Sequence, residues 1–250
     1  MSICLEICAD SIDSALAAGR GGAHRIELCS SLLEGGLTPS AGLIKTVRHR
    51  TSLAIFVMIR PRGGDFLYSD AEFEAMREDI HTAKSLGAEG IVLGLLTEEG
   101  SIDVARTGEL VELARPLETT FHRAFDLTAD LDRALEDVIA TGARRILTSG
   151  GAQTAPEGVE PIRRLAQAAR GRIIVMAGSG IRSSSLGQVL ATTGVHEVHA
   201  SAKSPVASRM RYHKNVAMGS GQSEEYTRQV ANEEEIRALV RILRERGSTS

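Results

Sequence analysis

The sequence predicts an α/β fold, a single (β/α)₈ TIM barrel, from three observations on its 250 residues. Short apolar runs alternate with helical patterns along the whole chain, eight such units can be counted, and the dipeptide Gly-Ala recurs where a helix gives way to a strand. A length of about 250 residues is usual for this barrel. An open doubly wound sheet would alternate in the same way, but eight units in this length fit a closed barrel better. We therefore expect one domain over residues 1–250, with 246–250 as a disordered tail.

Eight runs are predicted to be buried parallel strands, because each is short, apolar or β-branched, and bounded by Gly, Pro or Ser. They cover residues 4–9, 25–30, 54–61, 90–96, 118–125, 145–150, 172–177 and 197–201.

Helical patterns occupy the intervals between the strands. They cover residues 11–18, 38–50, 71–86, 103–114, 131–141, 156–169, 183–193 and 233–245. We expect Thr38 to cap the second helix, with Pro39 in its first position. Gly19 and Gly87 follow the first and third helices, as is typical of helix C-termini.

Composition excludes several classes of function. A net charge of −3 disfavours a nucleic-acid surface, which needs clustered positive charge. No apolar run approaches the roughly 18 residues that span a membrane, and the N-terminus lacks the features of a signal peptide. Three cysteines within the first 30 residues do not suggest a disulfide framework. We expect a cytoplasmic protein without nucleic-acid or membrane partners.

Polar residues accumulate late in the predicted strands, at the end where barrel enzymes carry their catalytic groups. They are Glu6, Glu27, Arg60, His122, Arg123, Ser149, His199 and Ser201. An ion-pair network that caps the core would also explain charges at this position. We favour a functional site, on the expectation that the amino ends of the strands carry no comparable charge.

Two strands share a Glu-x-Cys pattern, Glu6 with Cys8 and Glu27 with Cys29. Residues two apart face the same side of a strand, and neighbouring strands lie about 4.8 Å apart, so both thiols can meet at the barrel mouth. Two thiols suit a soft ion such as Cu(I). The alternative is that both cysteines are small buried apolar residues. Cys4 lies too far along its strand to join them.

Glycine-rich loops after the sixth and seventh strands suggest an anion site, since glycine lets backbone N–H groups approach a ligand. The alternative is that these glycines only form tight turns. The candidate anion ligands are Arg60, Arg62, Ser149, Gly150, Gly178, Gly180 and Ser201. His122, with Glu6 or Glu27 across the mouth, is a candidate for acid–base catalysis. The alternative is that His122 makes only structural hydrogen bonds.

Several strings make the family recognisable. They are Leu5-Glu6-Ile7-Cys8-Ala9-Asp10, Met58-Ile59-Arg60-Pro61-Arg62-Gly63-Gly64-Asp65-Phe66 and Thr120-Phe121-His122-Arg123-Ala124-Phe125-Asp126. In these strings the chain resembles the CutC family. The resemblance implies a TIM barrel, a cytoplasmic location, a homo-oligomer (a dimer or tetramer), and a role in copper homeostasis with Cys8 and Cys29 as Cu(I) ligands.

Two functions remain open at this point, besides a purely structural role in which the barrel scaffolds an oligomer. The first is Cu(I) binding through Cys8 and Cys29. The second is an enzyme acting on a small anionic metabolite, bearing a phosphate or carboxylate, with Glu6, Glu27 and His122 as acid–base groups. No organic cofactor is indicated. Residues 204–222 form a long connection of the kind that is usually functional or disordered, and the sequence does not decide between a lid and an interface arm.

Overall fold

Eight parallel strands close into a barrel in the computed structural model, which describes residues 3–214, 216 and 225–247. The strands are β1 (Cys4–Ala9), β2 (Arg25–Leu28), β3 (Ala54–Met58), β4 (Gly90–Leu93), β5 (Glu118–Phe121), β6 (Arg145–Thr148), β7 (Ile174–Gly178) and β8 (Glu197–Ala200). Each strand pairs with the next, and β8 returns to pair with β1. The predicted fold class is therefore confirmed.

Helices follow the strands and cover the outside of the barrel. They are α1 (Ile12–Gly21), α2 (Ala41–Arg50), α3 (Asp70–Ser85), α4 (Val104–Ala114), α5 (Leu131–Thr141), α6 (Val159–Ala169), α7 (Ser183–Thr193) and α8 (Glu233–Gly247). Between β8 and α8, β9 (Lys203–Ala207) and β10 (Thr227–Ala231) pair as antiparallel strands. None of the described helices has the length and apolar character needed to cross a bilayer.

The second helix begins later than predicted. Ser40, and not Thr38, caps α2, since the Ser40 hydroxyl accepts the Leu43 amide. Thr38 instead accepts the Arg60 amide on its hydroxyl, which ties this loop to the end of β3. The prediction of Thr38 as the cap was therefore wrong.

Two predicted segments near the C-terminus differ from the structure. Helix α8 continues to Gly247, two residues into the expected tail, while 248–250 lie outside the described residues. In the predicted lid or arm, β9 accounts for 204–207, while 215 and 217–222 lie outside the described residues.

Side chains alternate between the two faces of each strand, as the pleat requires. Leu5 and Ile7 belong to the large apolar core that the helices cover. A second apolar cluster, inside the barrel, is formed by Cys8, Cys29, Phe56, Met58 and Val92.

Charged side chains fill the amino end of the barrel interior, which corrects the expectation that this end carries little charge. Arg25 binds Glu6 and Glu197, and Arg145 binds Glu197 and Glu118. These five residues form the basal ion network. The guanidinium carbons of Arg25 and Arg145 also lie over the ring of Phe56, 4.6 and 5.0 Å from its centroid. The charges of Arg25 and Arg145 can be buried here because each of the two guanidinium groups has two carboxylate partners.

Candidate functional site

A cavity of about 490 Å³ opens at the carboxyl ends of the strands. We call it the mouth cavity. Six of the residues predicted for the site line it, namely Cys8, Glu27, Arg60, His122, Gly180 and Ser201. The other six do not: Glu6, Cys29, Arg62, Ser149, Gly150 and Gly178. His199 and Arg123, which belong to the polar residues late in the predicted strands but were given no specific role, also line the cavity, as does Asp126.

The two thiols predicted to meet are in contact, and Cys8 alone of the two lines the mouth cavity. Cys8 Sγ lies 3.7 Å from Cys29 Sγ, and both side chains are buried. Cys8 is in register with Glu27, while the Cys29 amide continues the ladder by donating to Ala9. The contact with Cys29 and burial together raise the pKa of Cys8 well above its usual value.

A mixed set of donor groups surrounds Cys8. One ligand atom each from Cys8, Glu27 and His199 lies within 4.8 Å of the other two, so the three residues could together hold a metal ion. His199 Nε2 is 3.9 Å from Glu27, and its Nδ1 is 2.7 Å from Glu6. A carboxylate behind a histidine ring orients the opposite nitrogen, which is the usual arrangement around a metal-binding histidine.

Glu6 lies one layer below the cavity and acts as a partner of other side chains. In register it is flanked by Arg25 and His199. Burial alone would raise the pKa of Glu6, but Arg25 and His199 lower it to about 2. Burial would likewise lower the pKa of His199, but Glu27, Cys8 and Glu6 raise it well above its usual value. The closure of β8 onto β1 was the signal that could have identified His199.

His122 is a neutral ring with one defined tautomer. The Ala124 amide donates to Nδ1, so the hydrogen of the neutral ring lies on Nε2. Burial, and then the charge of Arg60, lower the pKa of His122 to about 3. The ring packs against Gly94, where a Cβ atom would overlap it. His122 is therefore suited to donate a hydrogen bond and poorly suited to accept a proton.

This environment predicts a pH-dependent stability. Because the folded-state pKa of His122 lies below its ordinary value of 6.5, the unfolded chain binds this proton more readily. The contribution of neutral His122 to the free energy of unfolding is fully present above about pH 6.5. It is lost as pH falls towards 3, at up to about 1.4 kcal/mol per pH unit. Urea unfolding at several pH values should show a steeper loss for the wild type than for His122→Gln. Parallel profiles would contradict this assignment.

The two predicted arginines occupy different environments. Arg60 is buried and donates to the backbone carbonyls of Glu34, Gly36 and Gly64. Arg62 points away from the cavity and pairs with carboxylates on Asp65 and Glu72. Arg62 is thus not positioned to bind a ligand of the mouth cavity.

The loop after β6 already holds a carboxylate, that of Asp126. The side chain of Asp126 accepts hydrogen bonds from the Thr148 hydroxyl, the Ser149 amide and hydroxyl, and the Gly151 amide. Arg123 Nε donates to the same carboxylate at 2.8 Å. Ser149, predicted as an anion ligand, therefore binds an anion that belongs to the chain itself.

The predicted glycines have mainly structural roles in this region. The Gly150 amide donates to the Thr148 hydroxyl. A Cβ atom at Gly178 would overlap the side chain of Leu147, so a glycine at this position allows close packing inside the barrel. Gly180 has a φ of +67° and lies on the cavity wall.

A carboxylate of the chain also binds the first turn of α7. Glu235 of α8 accepts both the amide and the hydroxyl of Ser183. Ser201, at the end of β8, lines the cavity, and its hydroxyl has no hydrogen bond among the described residues.

Comparison with known proteins gives consistent matches. A sequence model of the CutC family matches residues 3–204. A CutC family protein of Chromobacterium violaceum is 51% identical over 236 residues, which cover 94% of this chain and 96% of that protein. A Homo sapiens protein described as a copper homeostasis protein cutC homolog is 48% identical over 237 residues, covering 94% of this chain and 87% of that protein. The crystal structure of a Streptococcus agalactiae protein, described there as a putative copper homeostasis protein CutC, superposes with a TM-score of 0.75 at 34% identity, covering 80% of this chain and 98% of that one.

Proposed function

The chain belongs to the CutC family, and from this premise we propose that it acts in copper homeostasis by binding Cu(I) through Cys8 and Cys29. The observation that carries the proposal is the 3.7 Å separation of the two sulfurs. Because a metal–sulfur bond is about 2.3 Å long, sulfurs at this distance can both reach one ion.

The surroundings of the thiols fit a soft cation. Thiolate sulfur is the preferred ligand of Cu(I), and Met58 and Phe56 shield the sulfur atoms from water. Cys8 faces the mouth cavity, so an ion can arrive without opening the barrel. His199 and Glu27 lie next to Cys8 and are available as additional ligands.

An anaerobic titration of Cu(I) against a competing chelator tests this proposal. The double variant Cys8→Ser/Cys29→Ser should bind at least about 100-fold more weakly, since loss of outer-shell partners alone costs 10–100-fold. Cys4→Ser is the matched control, because Cys4 lies on the same strand at the opposite end of the barrel. Equal affinity of the double variant and the wild type would contradict the proposal, provided that thermal unfolding shows both to be folded.

We propose, further, that the protein works in the cytoplasm as a homo-oligomer, a dimer or tetramer. The exposed apolar side chains of Val206, Met210 and Tyr212, on and after β9, support an interface on this side of the molecule. Light scattering coupled to size-exclusion chromatography measures the oligomeric state directly. A monomer at every protein concentration would contradict the proposed dimer or tetramer.

A second candidate function is an enzyme acting on a small anionic metabolite. It is favoured by a separate observation: polar atoms of Glu27, Arg60 and His122 are buried at the mouth cavity without hydrogen-bond partners among the described residues. Copper binding near Cys8 could occupy Glu27, but it gives no reason for the unpaired donors of Arg60 and His122. An active enzyme would convert a compound that binds in this cavity, and turnover by the Cys8→Ser/Cys29→Ser variant would separate this function from copper binding.

A further inference from the structure

Arg60 is a buried cation that lacks a counter-ion. Its side chain is only 5% exposed, and its two terminal nitrogens donate to backbone carbonyls alone. No carboxylate among the residues that the structure describes pairs with it. Arg25 and Arg145, which are equally buried, have two carboxylate partners each. An uncompensated buried charge is unfavourable, so the contrast points to an anion supplied from outside the chain.

Two hydrogen-bond donors remain unused at this place. Arg60 Nε and His122 Nε2 are both buried and have no acceptor among the described residues. Both side chains line the mouth cavity. The neutral state of His122 leaves its Nε2 hydrogen in place near neutral pH, since burial and Arg60 lower its pKa to about 3.

Phe66 is a common neighbour of both side chains. The guanidinium carbon of Arg60 lies 4.7 Å from the centroid of the ring, and the centroid of His122 lies 4.9 Å from it. Phe66 is itself only partly buried and lies on the loop after β3. Phe66, Arg60 and His122 all line the mouth cavity, so a shift of the Phe66 ring would open space beside both side chains.

We propose that the mouth cavity binds a small carboxylate as the counter-ion of Arg60, with its oxygens accepting the Nε hydrogen of Arg60 and the Nε2 hydrogen of His122 as the Phe66 ring moves aside. Two donors and a single positive charge match the two oxygens and single charge of a carboxylate. The glycine loop after β6, which would suit a phosphate, is occupied by Asp126. This inference deepens the second candidate function, because it names the class of ligand and the groups that hold it.

Nuclear magnetic resonance of protein labelled with ¹⁵N-histidine tests the proposal without altering the chain. The wild type should show an Nε2-protonated, neutral His122 near neutral pH. Addition of lactate should move the signal of the Nε2 hydrogen downfield in a saturable manner. A His122 signal that does not respond to lactate, pyruvate or glycolate up to tens of millimolar would overturn the proposal.

Three variants test whether His122 is one of the donors. His122→Phe keeps an aromatic ring but removes the donor, and should weaken lactate binding at least about tenfold, as expected for a lost hydrogen bond to a charged group. His122→Gln restores an N–H donor and should recover most of the affinity. Thr119→Val is the matched control, because its hydroxyl is also buried without a partner but does not line the cavity. Equal weakening by His122→Phe and Thr119→Val would overturn the role of His122.

Two further comparisons define the ligand and separate the hypotheses. Inorganic phosphate should bind more weakly than lactate, and the reverse order would overturn the assignment to carboxylates. Binding is measured without turnover, so a carboxylate that binds and remains unchanged supports this site even if the enzyme function fails. Retention of lactate binding in the Cys8→Ser/Cys29→Ser variant would show that the site does not depend on copper.

Discussion

Glu197→Leu should lower the free energy of unfolding by about 3–5 kcal/mol, the typical cost of removing one partner from a buried ion pair. Glu197 accepts hydrogen bonds from Arg25 at 2.7 Å and from Arg145 at 3.0 Å inside the basal ion network. Its loss leaves both buried guanidinium groups with one carboxylate fewer. Urea unfolding at neutral pH measures the difference.

The control for this prediction is an ion pair on the surface. Glu160 binds Arg163 within α6, and both side chains are largely exposed. Glu160→Leu should change stability by less than about 1 kcal/mol, since solvent screens exposed pairs. A Glu197 variant as mild as the Glu160 variant would show that the basal ion network contributes little to stability.

Gly158→Ala should destabilise the protein by about 3 kcal/mol, because a side chain at this position cannot be accommodated without moving backbone. Gly158 precedes α6, and a Cβ atom there would overlap the carbonyl oxygen of Ser149. Since the obstacle is main chain, no change of side-chain rotamer relieves it. Thermal unfolding and the chemical shifts of the Ser149 and Gly151 amides, which bind Asp126, should both change.

Gly42→Ala provides the matched comparison. Gly42 lies in the first turn of α2, and a Cβ atom there would meet only the Ser40 hydroxyl at an ordinary 3.9 Å. Alanine is favoured over glycine inside helices by about 1 kcal/mol, so this variant should be slightly more stable than the wild type. A destabilisation of similar size in both variants would argue against the steric explanation for Gly158.

The fold could be predicted from local patterns because each strand and helix carries its own signal. The apolar run of β1 is sufficient to place that strand. The end of α1 was predicted wrongly, since the helix continues through Gly19 to Gly21 and Gly22, with a φ of +89°, caps it. Helix α2 was predicted to start two residues early because Thr38 and Ser40 both have the chemistry of a cap. Only the contact of Thr38 with the Arg60 amide, which is distant in sequence, decides between them.

The site was less predictable because its contacts depend on barrel closure and register. The Glu-x-Cys repeat indicated that Cys8 and Cys29 could meet, and the structure places their sulfur atoms in contact. Nothing local indicates that His199 lies beside Glu6, since β8 reaches β1 only when the barrel closes. The arginines illustrate the same difficulty, because the carbonyl groups that hold Arg60 come from two separate loops.

The carboxylate of Asp126 occupies the hydrogen-bond donors in the loop after β6 and would compete for them with any anion from solution. A group fixed to the chain is present at an effective concentration in the millimolar range or above, whatever the solution contains. A phosphorylated compound must therefore displace Asp126 and break its bond to Arg123 before it can use the amides of Ser149 and Gly151. We therefore expect phosphates to bind poorly at the loop after β6, although its glycine-rich sequence predicted an anion site.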